Sequence, residues 1–135
     1  MTSTIWLAYA EHHALTDQDR RVAGREQRLR GVPDAVLPEP TDVLGWLTNR
    51  RAAFRKLADE QGRAFNALVN DRDGVNSRLS SAGVSVYATV RQSATTTVDL
   101  CVEAFAAQDC ASPRGHQFLR KEQGDWRCTR CGQVL

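Results

Sequence analysis

Near its end the chain carries Cys128-Thr129-Arg130-Cys131-Gly132, and no other short stretch restricts its folding as much. Two cysteines with two residues between them on a tight turn bring both sulfurs to one tetrahedral ion, and Gly132 lets the backbone turn back. Cys110 and His116 supply a second pair, so Cys110, His116, Cys128 and Cys131 make a candidate four-ligand metal set. Between the pairs the chain reads as a β-hairpin in which residues 122–125, Glu-Gln-Gly-Asp, turn the chain while Phe118 and Trp126 cover the site. The expected cofactor is one structural zinc ion per chain. Four protein ligands close the coordination shell, whereas catalytic zinc keeps one position open. Cys101 is read as a small core residue; as a ligand it would compete with Cys110.

This stretch resembles a zinc ribbon or zinc knuckle, on the strength of Cys110, His116, Cys128, Cys131 and Gly132. The resemblance covers the C-terminal module alone, and its first half is Cys-x5-His where the usual ribbon has Cys-x-x-Cys. It implies roles in nucleic-acid-binding proteins, in polymerase and ribosome accessories, or as a purely structural clip. A redox pair would want a helix after the motif to lower a thiol pKa, and four residues are too few to form one. The longest N-terminal apolar stretch, Ile5 to Ala10, is too short for a spanning helix and lacks the flanks of a secretion signal. A cytoplasmic location is therefore expected, where clustered cysteines hold metal more often than they form disulfides.

The 135 residues allow one ordinary domain plus a small appendage: residues 1–109 and a metal-binding module at 110–135. Residues 4–30 contain no proline and repeat Ala8, Leu15, Val22 and Leu29 every seventh position, which predicts a helix, or two with a joint near Leu15. A proline-rich linker at 31–40 follows, after which Thr41 or Asp42 caps a new helix. From Leu44 a three-four spacing runs through Leu47, Arg51, Phe54, Ala58, Gln61, Phe65, Leu68, Arg72, Val75, Leu79 and Ala82, a coiled-coil-like heptad frame. The turn composition of residues 70–74 leaves one helix or two open over 41–82. After Ser80-Ser81-Ala82-Gly83, the positions Tyr87, Val90, Ala94, Val98, Cys101 and Phe105 fall on one face of a last helix, although Val84–Val90 has strand propensity. The expected fold is mainly α: an antiparallel helical bundle or elongated helical hairpin ending in a small zinc-bound β-hairpin.

Function is less legible. No nucleotide-binding glycine loop, nucleophile elbow or paired-carboxylate signature occurs, so no enzyme and no small-molecule substrate is expected. Residues 1–109 hold 13 basic and 14 acidic side chains, whereas the module is mildly basic through Arg114, Arg120, Lys121, Arg127 and Arg130. Arginine forks match phosphates, and the first expectation is an accessory factor in a nucleic-acid transaction, with those five residues contacting nucleic acid or a nucleic-acid-bound protein. The alternative is a helical scaffold subunit of a larger assembly in which zinc is only a staple; neither reading involves a membrane. Arg21, Arg25 and Arg28, and likewise Arg51 and Arg55, stand one turn apart among carboxylates and read as solvated salt-bridged faces. His12 and His13 beside Glu11 read as a chance polar pair, since neighbours on a helix do not face one another.

Overall fold

Where the seven-residue repeat predicts a first helix, the chain runs as a long strand, β1 (Thr2–Ala14). The computed structural model describes residues 2–14, 19–54, 67–68, 70–120 and 124–135. After β1 come α1 (Arg25–Leu29), β2 (Ala35–Leu37), α2 (Pro40–Phe54), α3 (Arg72–Ala82), β3 (Val86–Arg91), β4 (Thr96–Gln108), β5 (Phe118–Arg120) and β6 (Trp126–Cys128). The architecture is mainly β, not a helical bundle or hairpin: an antiparallel sheet of order β2-β1-β4-β3, with a separate β5-β6 pair. β1 and β4 pair over their whole length, from Thr2 opposite Gln108 to Ala14 opposite Thr96.

The physical reason lies in which side each residue buries. Ile5, Trp6, Leu7, Ala8 and Tyr9 are all buried. A strand sends such a run alternately to two covered faces, whereas one amphipathic helix would bury only a stripe of it. Trp6 and Ala8 join one core with Val98, Leu100 and Val102; Ile5, Leu7 and Tyr9 join another with Cys101. The "helical" stripe from Tyr87 to Phe105 dissolves in the same way, because Val98 and Cys101 lie on opposite faces.

The two longer helices, α2 and α3, cover the first face. Pro40 is the first residue of α2, and the Asp42 carboxylate accepts the Glu39 N–H at 3.1 Å, so the start is capped from inside the first turn. Val43, Leu44 and Leu47 of α2, with Val75 and Leu79 of α3, close over Trp6, Val98, Leu100 and Val102. Each such side chain contributes about 1.5–3 kcal/mol by leaving water. The heptad positions Leu44, Leu47, Val75 and Leu79 thus pack on a sheet and not on a coiled-coil partner. Helical structure is interrupted at Asp71, the start of α3 following at Arg72. Residues 55–66, with Ala58, Gln61 and Phe65 of the heptad frame, lie outside the described residues. Gly83 ends α3 in the left-handed conformation at φ 56°, its N–H on the Leu79 carbonyl at 3.0 Å, and the chain then enters β3 where a further helix was expected.

The second face is covered differently. Phe118, Trp126 and Cys128 of the small hairpin pack with Ile5, Leu7 and Val36, and the Trp126 Nε1–H donates to the Pro33 carbonyl at 2.8 Å. No described helix is long and apolar enough to cross a membrane.

Candidate metal centre

The β5-β6 hairpin forms as the sequence suggests, in register Phe118 opposite Cys128 and Arg120 opposite Trp126. Its pairing sets Cys128 at the inner end of β6, where the knuckle turn begins. The Gly132 N–H reaches the Cys128 carbonyl at 2.9 Å with Gly132 at φ 82°, a conformation that costs glycine no steric strain. Cys131 is thereby swung back beside Cys128. On the other side, the chain leaving β4 turns at Ser112–Gly115, where the Gly115 N–H donates to the Ser112 carbonyl at 3.1 Å, and this returns His116 toward Cys110.

Cys110, His116, Cys128 and Cys131 therefore form a group that could hold a metal ion, their ligand atoms all within 4.8 Å of one another. The sulfurs of Cys110 and Cys128 are 3.8 Å apart, and the Cys131 sulfur is 3.6 Å from His116 Nδ1. His116 Nε2 faces the Gln108 carbonyl at 2.7 Å, an acceptor that would keep the ring proton on Nε2 when Nδ1 is turned to a metal. Phe118 stacks on the imidazole at 4.9 Å between centroids. Burial pushes the Cys128 thiol up, but the Gln117 N–H, the His116 ring and the Cys131 and Arg130 amides outweigh it and bring its pKa down to about 5. A thiolate, the ligating form, is therefore favoured at neutral pH.

Cys101 is not in this group. It is fully buried in β4 opposite Tyr9 and Tyr87, and burial drives its thiol up to about 12. Of the five basic residues singled out in the module, Arg114 and Arg127 are exposed, and Arg120 is exposed with its Nε–H on the Gly124 carbonyl at 2.9 Å. Arg130 turns inward, its Nη1 donating to the carbonyls of Arg114 at 2.9 Å and Gly115 at 3.1 Å, so it braces the loop before His116. Lys121 lies outside the described residues.

Sequence reasoning missed an ionic layer on the second face of the sheet. Glu103 is wholly buried and takes Arg28 at 2.7 Å, Arg25 at 3.2 Å and the Tyr87 hydroxyl. Arg28, itself buried, also reaches Glu11 at 2.9 Å. Arg25 and Arg28 thus form no solvated face, and their charge holds residues 20–31 onto the sheet. Adjacent His12 and His13 go to different partners, His12 to Gln92 at 3.2 Å and His13 to Asp99 at 2.9 Å. The available signal was Asp99 between Val98 and Leu100 and Glu103 directly after Val102, a period of two with carboxylates on one side. The Arg51 side chain and Arg55 are outside what is described.

Compared with known protein families, curated proteins and solved structures, the chain has no significant match.

Proposed function

We propose that the four-residue group binds one structural zinc ion, and that the hairpin so clipped is the contact module of a non-enzymatic accessory protein. Soft thiolates with one imidazole suit zinc and not the hard oxygen-seeking cations. Tetrahedral zinc with ordinary Zn–S and Zn–N bonds sets sulfur to sulfur at about 3.8 Å and sulfur to nitrogen at about 3.6 Å. Those are the separations of the Cys110–Cys128 and Cys131–His116 pairs, 3.8 and 3.6 Å. Four protein donors fill the shell, so the ion stabilises the module and offers no open position to a substrate.

The observation that carries the contact reading is one row across the module. Leu119 stands opposite Arg127 in the hairpin, and Arg127 in turn bridges to Val134. Leu119 is 60% exposed and Val134 46%, so an arginine lies between two apolar side chains that water reaches. Arginine flanked by apolar surface is the composition of a protein contact more than of a phosphate groove. An adaptor docking on a protein is thus the reading best supported, the helical scaffold being replaced by a sheet with a zinc-clipped hairpin. Direct nucleic-acid contact is the second reading, favoured by the exposure of Arg114, Arg120 and Arg127; Arg130 is withdrawn from it by its loop-bracing bonds.

Affinity capture from the native host, with and without nuclease, tests both. One stoichiometric protein that resists nuclease and is lost with Leu119→Glu supports the adaptor. Nuclease-sensitive recovery that is lost with Arg127→Glu, together with binding to random nucleic acid that weakens steeply with salt, supports the second reading instead.

A further inference from the structure

On the ionic face of the sheet, away from the metal group, lies a cavity of about 630 Å³ bounded by β1 and by residues 20–32. That volume is in the range of small-molecule sites. Tyr9 lines it, is 6% exposed, and its hydroxyl has no hydrogen-bond partner among the described residues. Buried hydroxyls are nearly always satisfied, so an orphan facing a cavity points to a ligand that satisfies it. Glu11 follows on the same strand face, about 6.6 Å along β1. Its Oε1 takes Arg28 at 2.9 Å, while its Oε2 accepts nothing among the described residues. Across the opening, Arg20 is exposed and its guanidinium has no carboxylate partner among the described residues, whereas Arg28 and Asp99, which also line the cavity, spend their charge on Glu103 and His13. Among the described lining residues this leaves one carboxylate oxygen, one guanidinium and one phenol unspent, with the exposed Gln27 amide beside them.

We propose that this cavity binds a small zwitterion, an amino acid or a short peptide, with its ammonium on Glu11, its carboxylate on Arg20 and a hydrogen bond from Tyr9 at the floor. The site is independent of the zinc module. Opposite charges on Glu11 and Arg20 select a ligand bearing both signs and disfavour a simple anion or cation, which would leave one of them unmatched.

The test is thermal shift and calorimetry on the full chain with two probe sets: the free amino acids, and short peptides with their N-acetylated and C-amidated forms. A rise in Tm at millimolar concentration from a member of either set, abolished by acetylation or amidation, is the expected result, and the set that responds identifies the source. Tyr9→Phe should weaken that ligand about tenfold, because the hydroxyl that bonds it is gone. Arg20→Ala, an exposed change that leaves folding intact, should weaken it as well. The site is refuted if no probe shifts the Tm, or if the shift survives acetylation or persists unchanged in both variants.

Discussion

On the helix-covered face of the sheet, Trp6, Ala8, Val98, Leu100 and Val102 meet Leu44, Leu47, Val75 and Leu79 with only apolar contacts. The same strands present Tyr9, Glu11, Asp99, Cys101 and Glu103 to the other side, closed by α1 arginines at one end and by the hairpin at the other. Among the described residues the four buried polar ones, Arg28, Thr97, Asp99 and Glu103, belong to this second face. The apolar face supplies non-directional stabilisation that tolerates exchange of one hydrophobe for another. The second face supplies register. A slip of one residue between β1 and β4 would carry Glu103 and Asp99 into the apolar core, at a desolvation cost no alternative pairing there could offset.

Metal removal should produce the largest difference between the faces. Apparent zinc affinities of finger-type modules are about 10–16 kcal/mol, so a chelator, or Cys128→Ser, should unfold residues 110–135. The helix-covered face makes no use of the metal, and far-ultraviolet circular dichroism should keep most of its sheet signal while Trp126 fluorescence moves to that of a solvated indole. Complete loss of secondary structure would break the comparison, showing that both faces depend on the clip. Acid should act in the same sense. The pKa of Cys128 lies near 5, below the ordinary thiol value of 9.0, so its thiolate is present above that point and is lost as pH falls through it. Metal release followed with a chromophoric chelator should therefore increase as pH falls through about 5.

Next in size is the ionic layer. Glu103→Ala leaves the Arg28 guanidinium, 1% exposed, without its shortest partner, and breaking a buried pair in this way costs about 3–5 kcal/mol. Replacing Glu103 by Leu and Arg28 by Met together should cost far less, because both desolvation penalties then vanish. Denaturant melts of the single and double variants give the comparison. An additive double variant would mean that the second face is held by its apolar half and not by charge.

How far the sequence disclosed this division depends on the residue pattern. The metal group was legible because its meaning is local: Cys-x-x-Cys-Gly needs only a turn. The hairpin between the ligand pairs was legible for the same reason. Leu44 and Leu47, and separately Val75 and Leu79, were rightly placed on buried helix faces, but spacing does not say whether a sheet or another helix receives them. Residues 5–9 were not legible, since a run buried on both faces has no alternation and any seventh residue can be picked from it. In β4 the alternation of Val98, Leu100 and Val102 was present; Cys101 and Phe105 on the other face masked it by completing a three-four series. Burial of Arg28 could not be inferred, because its partner Glu103 stands 75 positions later.

On the apolar face the expected loss is smaller and of a different kind. Leu79→Ala should cost about 2–5 kcal/mol through lost transfer energy and the cavity left under α3. It should leave metal content unchanged. Leu79→Met, which nearly conserves volume, should cost under about 1.5 kcal/mol, the tolerance that separates this face from the ionic one. Equal penalties for the two substitutions would remove that distinction.

The smallest effect should come from Cys101, and it decides where the two halves of the second face divide. This thiol lies between Tyr9 and Tyr87 with Glu11 3.9 Å away, and burial, only partly countered by Arg28, holds its pKa near 12. It is thus a neutral, apolar filler, unlike Cys128, whose local amides favour the thiolate. Cys101→Ala should cost about 1 kcal/mol, the common value for a small core change, and should retain a full equivalent of metal. In the native metal-loaded protein an alkylating reagent near neutral pH should leave Cys101 unmodified until denaturant is added. Loss of metal in Cys101→Ala, or rapid alkylation of Cys101 in the folded chain, would mean that the ionic layer and the metal group exchange a ligand, and the two halves of this face would then have to be treated as one site.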